Sequence, residues 1–348
     1  MIDLKELFIG EDSTILEALE QLDKTGQRIL FVTRESRLLG ALTDGDVRKY
    51  ILRGSPLDGK VSQAANYQCK SLPHTQRSQA RKKLLEYGIT ALPLVDGEGN
   101  IVDVIFDGAG DVKTPKRAPI PVVIMAGGLG TRLYPYTKIL PKPLIPVGEK
   151  PILEHIIDRF REFGCEDFRL VVNYKKNMIK SYFSDLDTPY HLEYIEETEF
   201  LGTGGGLCLL KGALKGPFFF SNCDTLLDID YGDVYQYHLR EKNFITMICA
   251  FKHYVVPYGV VELDEKGAIS EMKEKPALNF LTNTGVYLVD SRVVEELENG
   301  KFQGFPDIIE KYRRQGEKVG VYPISEGSWM DMGQLEELEN MRRRMEEP

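Results

Sequence analysis

The stretch from Val122 to Gly130 constrains the fold of this chain more than any other part of it. Four apolar residues, Val122 to Met125, are followed directly by the run Ala126-Gly127-Gly128-Leu129-Gly130. A short apolar run of this kind is typical of a buried strand in a parallel sheet. Glycines that follow such a strand let the backbone approach a ligand closely and turn its N–H groups toward an anion. The sequence therefore predicts an α/β fold with a phosphate-binding loop after this strand.

Two cations follow the glycine loop. Arg132 comes two residues after Gly130, and Lys142 is flanked by two prolines that restrict the backbone on either side. Two widespread phosphate motifs are excluded: Leu133 stands where the dinucleotide fingerprint has its third glycine, and Thr131 stands where the P-loop has its lysine. Backbone donors, an arginine and a lysine together indicate a site for a polyphosphate.

From Val122 onward, apolar segments alternate with helical patterns. This alternation predicts a Rossmann-like doubly wound, mostly parallel sheet with helices on both faces. In such sheets ligands bind at the carboxyl ends of the strands. Further strands are predicted at 168–173, 191–196, 218–221, 244–251, 259–263 and 285–289. Helices are predicted at 152–163, 176–183, 205–214, 231–239, 305–315 and 335–345.

The joint pattern GGxGTRLxPxTxxxPKPLxPV, which begins at Gly127, is far more specific than the loop alone. It resembles the signature of the sugar-1-phosphate nucleotidyltransferases, the enzymes that make nucleotide sugars. The resemblance implies a reaction of an NTP with a sugar 1-phosphate that yields an NDP-sugar and pyrophosphate, with Arg132, Lys142 and Asp224 as catalytic residues. It implies nucleotide contacts from Ala126, Gly127, Gly128, Gly130 and Thr131, and from Gly202 and Thr203 in a second glycine-rich turn.

Two aspartates far apart in the chain match later motifs of the same family. Asp224 follows the predicted strand 218–221, and Asp331 lies in the run Trp329-Met330-Asp331-Met332-Gly333. Considered alone, each is more often a turn residue or a helix cap. The resemblance implies instead that both bind Mg²⁺ as a cofactor. Cys223 departs from the family pattern, which has a small residue before the first aspartate.

A further group of residues matches the sugar-phosphate pocket of the family. The resemblance implies contacts from Gly259, Glu274, Lys275, Asn283 and Thr284. Because Glu–Lys pairs are common on protein surfaces, this assignment depends on the correct order of all the motifs. The resemblance covers about residues 120 to 345, the whole predicted second domain.

The first 110 or so residues contain a weak internal repeat in which a helix and a strand are followed by a turn and a second strand. Helices are predicted at 15–25 and 79–87, and Thr43 of the first copy aligns with Phe106 of the second. The two copies resemble a pair of CBS domains, modules that often bind adenine nucleotides. The resemblance implies ligand contacts from Gly40, Thr43 and Asp46.

The second copy lacks these polar residues, since Asp103, Phe106 and Ala109 replace them. The pair therefore either binds one adenine nucleotide or serves only to associate chains. Paired modules of this type favour a homo-oligomer. The predicted organisation is a tandem CBS-like region (1–112), a Pro- and Gly-rich linker (113–120) and a nucleotidyltransferase domain (121–348).

Composition and net charge limit the kinds of partner that this chain is expected to bind. The formal net charge of −9 argues against a nucleic-acid polymer but not against a nucleotide met by a local cluster of cations. No apolar run is long enough to span a membrane, and the first residues lack the pattern of a secretory signal. The five scattered cysteines are interpreted as free thiols. These features predict a cytoplasmic protein without a membrane partner.

The base is predicted from the run Leu201-Gly202-Thr203-Gly204-Gly205. It resembles that of guanylyltransferases that act on heptose, mannose or amino-sugar 1-phosphates. Members of the family that are fused to a CBS pair belong to bacterial surface-sugar pathways, including guanylylation of glucosamine 1-phosphate on the way to nonulosonic acids, and the resemblance implies such a pathway here. GTP is therefore favoured, with UTP or dTTP as the alternative. A non-catalytic nucleotide-sensing CBS protein is the competing class. The presence of all four charged residues of the family's site counts against it: Arg132, Lys142, Asp224 and Asp331.

Overall fold

The structure, a computed structural model, describes residues 4–106 and 117–346. By its internal contacts the chain divides into two compact units. The first comprises residues 1–113 together with 252–280, and the second comprises residues 114–251 and 281–348. Residues 113–116 of the predicted linker, and Ala109, lie outside the described residues.

The first unit begins with two copies of one small motif. The first copy contains β1 (Phe8–Gly10), α1 (Ile15–Thr25), β2 (Ile29–Arg34), β3 (Arg37–Thr43) and α2 (Asp44–Leu52). The second contains β4 (Leu72–Pro73), α3 (Ala80–Tyr87), β5 (Ala91–Val95) and β6 (Ile101–Phe106). In each copy the first strand is parallel to the second, and the second is antiparallel to the third. The predicted internal repeat is therefore present in the fold.

Strand register supports the alignment of the two copies. Thr43 pairs with Ile29 at the start of β2, and Phe106 pairs with Ala91 at the start of β5. Phe31 and Ala41 of the first copy share one hydrophobic cluster with Ala91, Ile101 and Val104 of the second. Because neither copy completes this cluster alone, the two fold as one unit.

The three residues predicted to contact a CBS ligand all have structural contacts. Thr43 is the N-cap of α2, where its Oγ1 accepts a hydrogen bond from the Asp46 N–H at 3.2 Å and donates one to the Asp46 carboxylate at 2.6 Å. A Cβ on Gly40 would lie 2.8 Å from the carbonyl oxygen of Asn66. The capping box and this close approach explain the three residue types without a ligand, so ligand binding there stays a prediction.

The second unit carries most of the remaining elements. Its strands, with the hairpin β15–β16 that is counted with the first unit, are β7 (Val122–Met125), β8 (Pro146–Val147), β9 (Lys150–Pro151), β10 (Asp167–Val172), β11 (His191–Glu196), β12 (Pro217–Asn222), β13 (Thr225–Leu227), β14 (Ile245–Val255), β15 (Val260–Leu263), β16 (Ile269–Lys273), β17 (Ala277–Asp290), β18 (Val319–Ile324) and β19 (Trp329–Asp331). Its helices are α4 (Tyr136–Ile139), α5 (Ile152–Arg161), α6 (Lys176–Ser184), α7 (Gly202–Gly205), α8 (Tyr231–Glu241), α9 (Arg292–Glu295), α10 (Phe305–Arg314) and α11 (Leu335–Glu346).

One sheet organises this unit. Its strand order is β11-β10-β7-β12-β17-β14-β18. Strands β11, β10, β7 and β12 are mutually parallel, β17 is antiparallel to β12, and β14 is parallel to β18. After β7 the chain first adds β10 and β11 on one side and then β12 on the other. The order therefore reverses between β7 and β12, the place where doubly wound sheets bind their ligands.

Both faces of the sheet are covered. Val122 and Ile124 of β7 belong to one hydrophobic cluster, and Val123 and Met125 belong to another. The first cluster includes residues of α5, α6, α8 and α11, and the second includes residues of α10. Alternate side chains of a strand point to opposite faces, so this division confirms the predicted α/β fold with a mostly parallel sheet.

One predicted helix is wrong in extent. The pattern predicted a helix at 205–214, but α7 ends at Gly205 and a 3₁₀ helix, Gly206–Leu210, follows it. Successive glycines have low helix propensity, so packing decides the conformation there. The short or exposed strands β13, β16, β18 and β19 were not predicted. No helix in the described part of the chain is long and apolar enough to cross a membrane.

Candidate active site

The carboxyl ends of four parallel strands, β11, β10, β7 and β12, lie side by side at one edge of the sheet. Met125 at the end of β7 pairs with Val171 of β10 and with Asn222 of β12, and Val172 pairs with Glu196 of β11. The glycine loop, Asn173, Glu197 and Asp224 therefore follow strands that end side by side.

The glycine loop, residues 126–130, is shaped by close contacts. Gly130 has φ 65°, and Thr137 donates a hydrogen bond to its carbonyl oxygen at 2.8 Å. A Cβ on Gly127 would lie 2.9 Å from Oε2 of Glu197, whereas a Cβ on Gly128 would have nothing within 4 Å. Gly130 is thus required by its backbone conformation and Gly127 is closely packed, while Gly128 borders open space where a ligand can approach.

A buried ion pair joins the segment after this loop to the end of β12. Lys142 is 8% exposed and lies in the 3₁₀ helix Lys142–Leu144, and its Nζ donates to the Asp224 carboxylate. A Cβ on Gly130 would lie 3.2 Å from Cβ of Lys142, so the loop packs against the stem of this lysine. The fold therefore brings together a lysine and an aspartate that the sequence assigned to one site.

A two-stranded sheet brings Asp331 to the same place. Strands β13 and β19 are antiparallel and pair Asp331 with Thr225, the residue after Asp224. The N–H of Met332 also donates to the carbonyl oxygen of Asp224 at 2.9 Å. Burial and the neighbouring Asp224 carboxylate raise the pKa of Asp331, although Lys142 and Arg132 oppose this. Asp331 is a strand residue beside the first aspartate and not part of the final helix.

Arg132 completes the charged group. Its side chain is exposed, and its Nη1 lies 3.4 Å from the position of a Cβ on Gly333. Two cations and two carboxylates, from segments spread over most of the second unit, thus converge at the switch point. Burial raises the pKa of the Cys223 thiol to about 12, so this thiol stays protonated at neutral pH.

The two carboxylates fit a divalent cation. They lie close enough for one to raise the pKa of the other, a repulsion that a bound cation relieves. Among residues 4–106 and 117–346 no group of three or more His, Cys, Asp or Glu side chains forms a fuller metal site. A pair of carboxylates is the set that Mg²⁺ uses when phosphates and waters supply its remaining ligands.

The second glycine run packs against the segment 301–305. A Cβ on Gly202 would lie 2.6 Å from the carbonyl oxygen of Gln303, and one on Gly205 would lie 2.4 Å from that of Lys301. Oγ1 of Thr203 accepts a hydrogen bond from the N–H of Phe305 at 3.1 Å. The residue types of this run are therefore set by close packing of the backbone. Nucleotide contacts from Gly202 and Thr203 stay a prediction.

The sequence analysis missed Glu197. This residue directly follows β11 and is only 3% exposed, and among the described side chains none donates a hydrogen bond to its carboxylate, which lies near the backbone N–H of Leu201. Burial raises its pKa to about 7. The available signal was its place between an apolar strand and a glycine run, but the neighbouring Glu196 and Glu199 share that place.

The predicted sugar-phosphate residues fall into two groups. Gly259 and Glu274 lie on either side of the hairpin β15–β16, and a Cβ on Gly259 would lie 3.0 Å from Oε2 of Glu274. This hairpin, with Lys275 at φ 45°, is counted with the first unit.

The other group belongs to the second unit. Thr284 donates to the carbonyl oxygen of Ile248 at 2.8 Å, and Oδ1 of Asn283 accepts from the N–H of Gly285 at 3.0 Å. A Cβ on Gly285 would lie 2.3 Å from Nδ2 of Asn222. The run 283–285 thus packs against the end of β12, near the charged group.

A glycine loop at the switch point of a doubly wound sheet, with converging cations and carboxylates, is an arrangement typical of proteins that bind phosphorylated ligands. The profile of the family described as "Nucleotidyl transferase" matches residues 121–347, and this chain belongs to that family. The profile of the CBS domain matches residues 3–53, the first of the two copies.

Similar proteins include the catalytic subunit beta of mannose-1-phosphate guanylyltransferase from Drosophila pseudoobscura pseudoobscura. It is 34% identical over 222 residues, which are 61% of this chain and 58% of that protein. The bifunctional protein GlmU of Methanococcus maripaludis is 32% identical over 221 residues, 61% of this chain and 51% of that protein. This chain thus spans only about three fifths or less of the relatives' own length.

A solved structure shares the fold. HddC from Yersinia pseudotuberculosis superimposes with a TM-score of 0.53 at 23% identity, covering 65% of this chain and all of HddC. A second structure of HddC contains GMP-PN.

Proposed function

We propose that this chain is a sugar-1-phosphate guanylyltransferase that joins GTP to a sugar 1-phosphate and releases pyrophosphate. The observation that carries the proposal is the convergence of Arg132, the Lys142–Asp224 pair and Asp331 beside the glycine loop. The name of one similar protein, mannose-1-phosphate guanylyltransferase, supports both the reaction class and the base.

The chemistry requires alignment and charge rather than a general base. The attacking oxygen belongs to the sugar phosphate, which is already ionised at neutral pH. Mg²⁺, held by Asp224 and Asp331, supplies positive charge to the reacting phosphates when it is bound. Arg132 is exposed and can turn toward the α-phosphate and the departing pyrophosphate. Lys142 holds phosphate oxygens, and the backbone of residues 126–131 donates to the triphosphate.

Pyrophosphate release tests the reaction directly. The purified chain is incubated with Mg²⁺ and each pair of one NTP (GTP, UTP, dTTP, CTP or ATP) with mannose, glucosamine, glucose or heptose 1-phosphate. We expect release with GTP and one of these sugars. Turnover with UTP or dTTP alone would show that GTP is the wrong nucleotide, while the proposed reaction class would stand. The absence of turnover together with tight nucleotide binding would favour the nucleotide-sensing alternative.

Two glycine substitutions distinguish a glycine that contacts the ligand from one that only packs against the protein. Gly128→Ala places a methyl group in open space on the loop, so we expect unchanged thermal stability. The KM for the NTP should rise roughly 5-fold to 10-fold, the effect of one weakened hydrogen bond. Gly205→Ala is the contrast, because its methyl would meet the carbonyl of Lys301 at 2.4 Å. It should lower the free energy of unfolding by about 1–3 kcal/mol. A Gly128→Ala enzyme with wild-type KM would place the triphosphate elsewhere.

We also propose that the front unit binds one adenine nucleotide near Gly40, Thr43 and Asp46. The asymmetry of the repeat supports a single site, since Phe106 occupies the position equivalent to Thr43. Binding of AMP to the full chain, with a GTP analogue filling the other site, should show a stoichiometry near one. Thr43→Ala should weaken binding, whereas Thr43→Ser keeps the hydroxyl and the helix cap and should not. Two equivalent sites, or none, would contradict this proposal.

The cellular setting follows from the same chemistry. All five cysteines are free, and the proposed substrates are cytoplasmic metabolites, so we propose a cytoplasmic enzyme. We propose a homo-oligomer because paired CBS modules tend to associate. A role in bacterial surface-glycan or nonulosonic-acid precursor synthesis is proposed from the resemblance to guanylyltransferases that are fused to a CBS pair.

A further inference from the structure

The segment that leads from Arg132 toward Lys142 is mostly exposed. It contains the short helix α4, and among residues 131–140 only Leu133 and Thr137 are buried. Arg132 itself is exposed, so packing of its own side chain does not fix its place. A segment with so few buried side chains depends on hydrogen bonds for a defined position.

The last carbonyl groups of α4 accept hydrogen bonds from the loop that follows β10. The hydroxyl of Tyr174 donates to the carbonyl oxygen of Thr137 at 3.1 Å. Nζ of Lys175 donates to the carbonyl oxygens of Lys138 and Ile139, at 2.6 Å in each case. Because the last carbonyls of a helix have no partner within the helix, these two adjacent side chains complete the end of α4.

The same two residues are connected with the glycine loop. The N–H of Tyr174 donates to the carbonyl oxygen of Gly127 at 3.3 Å, and Nζ of Lys175 lies 5.4 Å from the centre of the Tyr174 ring. At the other end of the loop, the hydroxyl of Thr137 donates to the carbonyl oxygen of Gly130 at 2.8 Å. These bonds join both ends of the glycine loop to one network with α4.

The backbone of Lys175 has an unusual conformation for a lysine. Its φ is 49°, in the left-handed region that glycine adopts at lower cost. The two hydrogen bonds from its ammonium group to α4 offset that cost. Lys242 has a similar φ of 52° and an exposed side chain at the end of α8. It therefore provides a matched control for the backbone conformation of Lys175.

We propose that Tyr174 and Lys175 are positioning residues that hold Arg132 in place for the reaction. This assignment rests on the proposed function, in which Arg132 binds charge on the α-phosphate and the leaving pyrophosphate. The two side chains, called the clamp below, act on the backbone of α4 and touch no substrate. Because the glycine loop binds the triphosphate through its own N–H groups, the clamp should contribute more to the transition state than to binding of the NTP.

The first test removes the donors of the clamp with Tyr174→Phe and Lys175→Met in one chain. We expect kcat to fall roughly 10-fold, because a misplacement of about 1 Å can cost about 10²-fold. The KM for GTP should change less than about twofold, since the N–H of residue 174 and the glycine loop stay in place. Lys242→Met should leave both constants unchanged, and thermal melting should show that both proteins are folded.

Two further variants show whether the effect depends on the donors and on Arg132. Lys175→Arg keeps donors at the end of a long side chain, so it should keep kcat within about threefold of wild type. Removal of the clamp should lower kcat in the wild-type background but not further in Arg132→Ala, because coupled residues give non-additive effects. An equal loss in both backgrounds, or an unchanged kcat without the clamp, would overturn the assignment.

Hydrogen exchange tests the clamp without any turnover. The N–H of Leu140 donates to the carbonyl oxygen of Tyr136 at the end of α4, at 3.0 Å. Amides of residues 131–140 should therefore exchange faster when the clamp is removed, whereas those of α5 should not. Unchanged exchange at 131–140, in an enzyme that turns over GTP, would refute the clamp while the proposed function stands. A wild-type enzyme that turns over no NTP with any sugar 1-phosphate would refute the proposed function and, with it, the role of Arg132.

Discussion

Replacing Arg132 with alanine is expected to lower kcat by about 10²-fold or more, the size of effect seen when one charge-stabilising donor is removed. Arg132 is exposed, follows the glycine loop and lies beside Gly333 in the run that contains Asp331. A planar guanidinium can bind two phosphate oxygens at once, which suits charge that spreads from the α-phosphate to the leaving pyrophosphate. Its contribution should therefore be largest in the transition state.

Steady-state kinetics with GTP and the preferred sugar 1-phosphate measures this effect. The KM values should change much less than kcat, because the interaction is weaker in the ground state. Arg240→Ala removes an exposed arginine that pairs with the adjacent Glu241, and it should leave both constants unchanged. If Arg132→Ala kept kcat within about threefold of wild type, too small a loss for such a donor, the arginine would have no part in the reaction.

The second large effect concerns the metal. Asp224→Asn and Asp331→Asn each remove one negative charge from the proposed Mg²⁺ site, so each should raise the Mg²⁺ concentration needed for half-maximal activity by at least about tenfold. Binding of Mg²⁺ and GTP stabilises the folded state by mass action. The rise in Tm that Mg²⁺ adds in the presence of GTP should therefore shrink in both variants.

Asp224→Asn and Asp331→Asn should differ in thermal stability when no metal is present. Asp224 neutralises Lys142, whose side chain is 10% exposed, so Asp224→Asn leaves a buried cation without its partner. Breaking such a pair costs about 3 kcal/mol or more, and the Tm without metal should fall. Asp331→Asn removes a carboxylate that Asp224 repels, so it should not destabilise the protein.

Asp228→Asn is the matched control for both. Asp228 lies close to Asp224 in sequence, but its side chain is 58% exposed and it pairs with Arg159. We expect a wild-type requirement for Mg²⁺. An Asp224→Asn or Asp331→Asn enzyme with the same Mg²⁺ dependence as wild type would show that the residue is structural.

The sequence by itself was sufficient for the features that are local or that recur in order along the chain. The apolar run before Gly127 predicted a buried strand, and β7 lies at the centre of the parallel part of the sheet. The order of the motifs predicted the family to which residues 121–347 belong. The repeat in the first unit also followed from matching patterns, because equivalent strands need equivalent spacing of apolar residues.

Only the tertiary structure decided which distant residues meet. The order of the motifs assigned Asp224 and Asp331 to one metal site, but the short strands β13 and β19 were not predicted, and it is their pairing that places Asp331 beside Asp224. Glu197 was indistinguishable in the sequence from Glu196 and Glu199, and only burial between two glycine segments separates it from them. The glycines from 202 to 205 matched a nucleotide motif, but their closest contacts are with residues 301–308. Burial and close approach depend on the whole packed chain, and a local sequence pattern contains no information about the partner that arrives from a distant segment.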